Sequence, residues 1–233
     1  MERLDKIIVS QGKYSRSEVK KLALQGKITV DGEVIKKSDF KVDKEISKIF
    51  INGELLNVKE HLYLILNKPK GYVSATEDTK EKTVLELVPD YLFRKNLFPA
   101  GRLDKDTTGL MIITDDGNLA HNILAPKKHI RKIYEVTLDV PVTKDMVNKF
   151  AEGINLNDGE CKPGILEITG EYTCKVTITE GRYHQIKRMF GCCSAKVLEL
   201  NRICMGNLFL PDDLKKGECR ELSAKELLLL QEK

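Results

Sequence analysis

Four charged side chains lie close together in one short segment of this 233-residue chain, residues 100–117 (AGRLDKDTTGLMIITDDG). They are Arg102, Asp104, Lys105 and Asp106, and an apolar run follows them directly. A carboxylate on a loop just before a buried strand is held rigidly, and functional groups often occupy such loops. The same residues could instead cap the loop and form surface salt bridges, and the pattern alone leaves both interpretations open.

A second charged segment, residues 179–190 (TEGRYHQIKRMF), places Arg182, Lys187 and Arg188 after a Gly-Arg turn and within a helical pattern. Guanidinium and ammonium groups in this position can pair with carboxylates or with phosphates. A basic helix start that simply faces solvent is the alternative interpretation.

Two further segments are less informative by themselves. Tyr134 begins the strand-like run in RKIYEVTLDV, where an isolated aromatic residue is more typical of the core than of a reactive site. Residues 64–75 (LILNKPKGYVSA) predict only a strand and the loop that follows it.

The positive charge of the chain is concentrated at its N-terminus. The formal net charge is +4, and residues 1–27 alone hold seven Lys or Arg against three acidic residues. Such a distribution favours a polyanionic partner such as nucleic acid, although a solvated helix face would give the same pattern.

The first sixty residues predict two short helices followed by a hairpin. Ser15 and Glu18 form a capping box at the start of the second helix, and Gly26 can end it in the left-handed conformation. Asp31 and Gly32, between β-branched residues, predict a two-residue hairpin turn.

This unit resembles the small RNA-binding domain first recognised in a ribosomal small-subunit protein, the S-four (S4) domain. The segment SRSEVKKLALQGKITVDGEVI carries the resemblance. The resemblance implies that the basic helix face contacts structured RNA, and we expect the contacts to come from Arg3, Arg16, Lys20 and Lys21.

The remaining chain predicts an α+β domain with a mixed, largely antiparallel sheet, since strands and helices are interspersed without strict βαβ alternation. The polar residues 52–60 are interpreted as a linker, and we place the domains at 1–58 and 59–233. The predicted strands and helices are 62–66, 110–114, 133–138, 165–169, 174–179 and 197–200, and 118–124, 143–152, 184–193 and 223–232.

The order of the segments is more specific than any one of them. NKPKGYV, GRLDKDTTGL, KIYEV, EGRYHQIKRMF and LELNRICMG follow one another along the chain. This series closely resembles the RNA pseudouridine synthases of the RsuA type, over nearly the whole chain and including the N-terminal domain. The resemblance implies the pseudouridine synthase fold, with a mixed central sheet flanked by helices and loops.

The resemblance also implies a role for individual residues. Asp104 corresponds to the family's essential aspartate, Lys187 to the basic residue paired with it, and Tyr134 to the tyrosine beside the target uracil. Arg102 corresponds to the residue that enters the space left by the extruded base, and Leu200 to an apolar residue lining the base.

We expect Arg182 and Arg188 to bind substrate as well. Isomerising uridine needs neither a redox change nor group transfer, so no cofactor and no metal are expected.

Several alternatives remain at this level. The YHQIK pattern resembles the enzymes that modify small-subunit (16S) ribosomal RNA, whereas large-subunit enzymes commonly carry Asn-Arg there. A non-catalytic ribosome-assembly factor and, less favoured, a glycosidic-bond hydrolase are the other candidates. The partner is expected to be ribosomal RNA or a small-subunit assembly particle. We expect a cytoplasmic monomer without a membrane segment, whose six cysteines are free and mostly buried.

Overall fold

The computed structural model describes residues 1–232, which divide into two compact units. The first unit comprises Met1–Leu62 together with Pro89–Leu97, and the second comprises Tyr63–Val88 together with the described residues from Phe98 onward. The division therefore falls four residues after the expected one at 58/59. It also assigns a nine-residue segment of the predicted second domain to the first unit.

Local signals account for most of the first unit. The capping box of Ser15 and Glu18 is confirmed, and so is the hairpin at Asp31 and Gly32, whose φ angles are 52° and 90°. The elements are β1 Glu2–Arg3, α1 Leu4–Ser10, α2 Arg16–Leu24, β2 Ile28–Val30, β3 Glu33–Val34, β4 Lys41–Val42, β5 Ile49–Ile51 and β6 Glu54–Leu55. A sheet of order β3-β2-β5-β6 and a separate β1-β4 pair result.

The expected linker at 52–60 is wrong in its first part. Asn52 and Gly53 both have positive φ angles and connect β5 to β6, which pairs back through Phe50 with Leu55. Asn-Gly is the turn sequence that such a hairpin requires, so the signal was present in the sequence but was interpreted as flexibility.

Residues 89–97 join the first unit through specific contacts. The buried Arg94 guanidinium donates to Oε1 of Gln11 at 2.9 Å, and the backbone N–H of Lys59 donates to the same oxygen at 2.9 Å. Gly12 allows close approach, since a Cβ atom there would lie 2.2 Å from the carbonyl oxygen of Phe93. No local sequence signal predicts such contacts between segments that lie far apart along the chain.

The second unit is built on one nine-stranded mixed sheet. Its main order is β13-β14-β10-β15-β9-β7-β17, with β16 beside β15 and β8 beside β9. Only β15 and β9 run parallel among the named pairs of this sheet, so the predicted mixed, largely antiparallel sheet is confirmed. The strands are β7 Tyr63–Lys68, β8 Phe98–Ala100, β9 Thr108–Thr114, β10 Lys132–Leu138, β11 Asn155–Leu156, β12 Gly159–Glu160, β13 Ile165–Ile168, β14 Thr173–Ile178, β15 Val197–Met205, β16 Leu208–Phe209 and β17 Cys219–Glu221.

In the described part of the second unit, four α-helices flank this sheet, and all four were predicted within two residues at their ends. They are α3 Gly117–Leu124, α4 Lys144–Glu152, α5 Gln185–Gly191 and α6 Ala224–Gln231. The core beneath α3 and α6 is formed by apolar residues of β9, β15 and β7, including Ile112, Met205 and Ile65. β11 and β12 form a small separate hairpin.

The parallel pair of β9 and β15 depends on a glycine. Gly109 has a φ angle of 103°, and a Cβ atom there would lie 2.2 Å from the carbonyl oxygen of Arg202. We therefore expect Gly109→Ala to lower the free energy of unfolding by about 3 kcal/mol, from backbone strain and overpacking together. Chemical denaturation measures the loss. Gly117→Ala is the matched control, because a Cβ there meets no atom within 4 Å, and equal loss in both variants would contradict the expectation.

None of the helices in the described chain combines the length and the apolar character needed to cross a membrane. Cys161, Cys174, Cys204 and Cys219 are buried free thiols, as expected, whereas Cys192 is exposed and Cys193 is half-buried.

Candidate active site

A cavity of about 570 Å³ opens on one face of the large sheet. Its floor comes from three adjacent strands, which supply Ile178 of β14, Lys132 and Tyr134 of β10, and Leu200 and Arg202 of β15. The loop before β9 forms one wall, and residues 181–186 before and at the start of α5 form another. The volume lies in the range of small-ligand sites, and a nucleobase fits within it.

Lys68, the last residue of β7, anchors the loop that carries Asp104. The Lys68 ammonium is fully buried and contacts the carbonyl oxygens of Asp104 at 3.0 Å, Lys105 at 3.3 Å and Thr107 at 2.8 Å. Burial lowers the pKa of Lys68 to about 8, against the opposing influence of the Asp106 and Asp104 carboxylates. The sequence analysis assigned no function to Lys68, although this residue fixes the backbone of Asp104.

The loop after β7 adds two further ties to the same wall. The Ser74 hydroxyl donates to the carbonyl oxygen of Leu103 at 2.7 Å and accepts from its backbone N–H at 2.9 Å. The N–H of Gly71 donates to the carbonyl oxygen of Lys105 at 2.8 Å. The segment that predicted only a strand and a loop therefore supports the Asp104 wall along most of its length.

Asp104 and Lys187 lie close together, as the family resemblance implied. Nζ of Lys187 lies 3.1 Å from Oδ2 of Asp104 and 2.6 Å from Oδ1 of Asp106. Burial lowers the pKa of Lys187, but hydrogen bonds to both carboxylates outweigh it and leave that pKa above its ordinary value. The pKa of Asp106 shifts in the opposite direction. Burial raises this pKa, but the hydrogen bond from Lys187 and the other favourable contacts outweigh burial and leave it below its ordinary value. Asp104 thus shares one permanent cation with Asp106.

His184, part of the YHQIK pattern, is a neighbour of Asp104 to which the sequence analysis assigned no role at the site. Its Nε2 atom lies 3.4 Å from Oδ1 of Asp104, and its ring stacks on Tyr183 with a centroid separation of 3.8 Å. The residue has a φ angle of 48°, a left-handed conformation that is uncommon outside glycine. This backbone conformation places the imidazole beside the Asp104 carboxylate.

The remaining predicted base contacts also line the cavity. Tyr134 and Leu200 are both 7% exposed and form an apolar part of the floor, while Arg102 is exposed on the loop that carries Asp104. Because it is exposed, the Arg102 guanidinium is accessible to nucleic acid at the cavity.

Arg182 and Arg188 occupy different positions from the others. Arg182 lines the cavity, but its guanidinium donates to the carbonyl oxygens of Gly159 and Glu160 in the β11–β12 hairpin. Arg188 is not among the residues lining the cavity, and its Nη1 donates to Oδ2 of Asp158 at 3.1 Å. Both side chains tie the residues around α5 to that hairpin in this structure, and neither presents a free guanidinium to the cavity.

Comparison with known proteins agrees with this architecture. Residues 62–191 match the model of the RNA pseudouridylate synthase family, and residues 2–45 match the S4 domain. The chain is 40% identical to YtzG of Bacillus subtilis, an uncharacterized RNA pseudouridine synthase, over 99% of this chain and 98% of that protein.

A second relative is the ribosomal small subunit pseudouridine synthase A of Escherichia coli. It is 40% identical, with 97% of this chain and 98% of that protein covered. A crystal structure of a pseudouridylate synthase superposes with a TM-score of 0.70 at 39% identity, covering 99% of this chain and all of that chain. With the fold, the cavity and these matches in agreement, the chain belongs to the RNA pseudouridylate synthases, as an enzyme with an N-terminal S4 domain.

Proposed function

We propose that this chain converts a uridine of small-subunit ribosomal RNA to pseudouridine, with Asp104 as the essential carboxylate. The observation that carries the proposal is the placement of the Asp104 carboxylate, 3.1 Å from the Lys187 ammonium, at a cavity whose floor includes Tyr134 and Leu200. The substrate is inferred from relatives such as the Escherichia coli enzyme, whose name specifies the small ribosomal subunit.

The target uridine has to leave the RNA stack before it can enter such a cavity, at a cost of a few kcal/mol. Arg102 is exposed beside the cavity, where its guanidinium can occupy the space that the base leaves. Tyr134 and Leu200 offer an aromatic and an aliphatic surface to the uracil. Stacking of a base on an aromatic side chain is worth about 1–3 kcal/mol, enough to offset much of the cost of extrusion.

Asp104 has to be ionised in order to act as a nucleophile or as a base. The Lys187 ammonium, 3.1 Å from Oδ2 of Asp104, pairs with this carboxylate and can hold it in position. The carboxylate can attack the ribose, attack the base or remove a sugar proton, and these three routes share the same first requirement. At the end of the reaction C5 of the uracil loses its proton, for which Tyr134 or a water molecule is the candidate acceptor.

The first unit is proposed to hold the RNA. Arg16, Lys20 and Lys21 are exposed on α2, and Arg3 is exposed although its guanidinium also pairs with Asp5 at 2.7 Å. Such a surface contributes affinity through phosphate contacts that weaken with salt. We further propose that the protein acts as a monomer in the cytoplasm, on ribosomal RNA or on a small-subunit assembly particle.

The direct test is release of tritium from ribosomal RNA labelled at C5 of uracil. Small- and large-subunit RNA are tested separately, each as bare RNA and as ribonucleoprotein. We expect release from small-subunit RNA alone, because forming the new carbon–carbon bond at C5 displaces its hydrogen. Release from large-subunit RNA alone would contradict the substrate assignment, free uracil would indicate glycosidic hydrolysis, and no release would favour an RNA-binding assembly factor.

A further inference from the structure

We propose that Lys132 and Arg202 form a cationic floor in the cavity that binds a carbonyl oxygen of the target uracil while negative charge develops on the base. The inference rests on the proposed function, because it assigns two further residues to the same reaction.

The register of the sheet places both cations beside the tyrosine of the floor. Lys132 lies two residues before Tyr134 on β10 and so shares its face of the sheet, and Arg202 of β15 lies directly opposite Tyr134. Lys132 is 6% exposed and Arg202 is 2% exposed, and both line the cavity. Both side chains therefore border the cavity while almost none of their surface is accessible to solvent.

Neither cation is neutralised by a carboxylate within the described chain. Lys132 donates to the carbonyl oxygen of Ile130 at 3.1 Å, and the residues that pair with it across the sheet, Ile178 and Met205, carry no charge. Arg202 donates through Nε to the carbonyl oxygen of Leu110 at 2.8 Å, while its Nη2 has no hydrogen-bond partner.

A third group at the same cavity has unused hydrogen-bonding capacity. The Oγ1 atom of Thr107, which is 2% exposed, also has no partner. Buried polar atoms are almost always paired, so two unpartnered atoms at one cavity point to a ligand that completes them.

This arrangement opposes folding. Burial lowers the pKa of Lys132 to about 8, and the positive charge of Arg202 adds to the decrease. At neutral pH the ammonium form still dominates, so the folded protein keeps two neighbouring buried cations without an anion between them. Groups that oppose stability persist where they serve function, and here the missing partner has to be negative or strongly polar.

The reaction supplies such a partner for a limited time. When the bond between N1 and C1′ breaks with its electron pair on the uracil, the negative charge spreads from N1 to O2 and O4. The base then turns, C5 bonds to C1′, C5 loses a proton and N1 gains one, so the product is an isomer of the substrate. Donors fixed where charge develops lower the barrier without tightening the binding of the uncharged base.

The depth of the two cations favours the base over the RNA backbone as their ligand. Arg102 and Lys105, the other cations lining the cavity on the Asp104 loop, are exposed and thus accessible to phosphates. Lys132 and Arg202 lie in the sheet floor with Tyr134 and Leu200, where the uracil is proposed to sit. The ligand assigned to them is therefore a uracil carbonyl oxygen.

The test compares Lys132→Met with the wild type in single-turnover assays on C5-tritiated small-subunit RNA. We expect the saturating rate to fall about a hundredfold, as after loss of one donor to a developing oxyanion, and the RNA concentration for half-saturation to change less than about twofold. The melting temperature should stay equal or rise, because a buried unpaired charge is removed. Lys175→Met is the control, since Lys175 lies on neighbouring β14 and is not among the cavity-lining residues.

A conservative variant separates charge from shape. Lys132→Arg keeps a cation in place, and we expect it to recover at least about tenfold of the rate lost in Lys132→Met. An unchanged rate in Lys132→Met, a loss confined to RNA affinity, or a loss that follows a lowered melting temperature would each overturn the inference. A wild-type protein without tritium release would instead refute the proposed function, so the two failures are distinguishable.

Discussion

Asp104→Asn is expected to reduce pseudouridine formation by at least about a thousandfold, the largest effect of any single substitution in this chain. The amide has nearly the same shape as the carboxylate, but it can neither attack carbon nor accept a proton at neutral pH. Lys187 keeps its contact with Asp106 at 2.6 Å, so the cation retains a partner after the substitution. Tritium release under single-turnover conditions measures the loss.

The structure predicts that this variant folds and binds RNA like the wild type. Asp104 is a quarter exposed, and surface ion pairs of this kind contribute at most about 1 kcal/mol to stability. Asp145→Asn removes the same charge from the first turn of α4, outside the cavity, and serves as the control. Retained activity in Asp104→Asn would refute the role assigned to this residue, and parallel losses in both variants would indicate a general charge effect.

Lys187 contacts both carboxylates of the Asp104 loop, but the two carboxylates differ in their distance from Lys187 and in their exposure. Asp106 takes the shorter contact and is the more exposed of the two, whereas Asp104 lines the cavity and has His184 as its second neighbour. A single cation that is anchored by an outer carboxylate stays in place when the inner one reacts. This geometry explains how Asp104 can be paired in the resting enzyme and still be available to the substrate.

Sequence reasoning succeeded where the determining interactions are local. The capping box at Ser15 and the turn at Asp31 involve residues within four positions of one another, and the structure confirms both. The pairing of Asp104 with Lys187 spans 83 positions, and it was expected only because the ordered motifs resemble a known family.

The sequence was uninformative where a side chain acts on distant backbone. The acceptors of Lys68 include carbonyl oxygens up to 39 positions away, and no residue type marks a carbonyl oxygen as an acceptor. β15 was predicted to end at Leu200 but continues to Met205, because the polar Asn201 and Arg202 interrupt the apolar pattern. Both find partners on β9, Asn201 at Thr108 and Arg202 at Leu110, which only the folded sheet provides.

Lys68→Met is expected to lower both stability and activity, because Lys68 fixes the position of Asp104. The substitution keeps the length of the side chain but removes the ammonium group, which donates to the carbonyl oxygens of Asp104, Lys105 and Thr107. Each buried acceptor left without a donor costs about 1–3 kcal/mol, partly offset by removal of a buried charge, so we expect a net loss of about 3 kcal/mol. A loop that relaxes by about 1 Å would lower the rate of pseudouridine formation about a hundredfold.

Lys70→Met, two residues along the chain, provides the matched control for both measurements. Lys70 is exposed and pairs with Glu199 at 2.6 Å, so its loss should change the free energy of unfolding by less than about 1 kcal/mol. Denaturation curves and single-turnover rates recorded on the two variants together give the comparison. If Lys68→Met were as stable and as active as Lys70→Met, the loop would hold Asp104 without the buried ammonium, and its four backbone contacts would be incidental to the site.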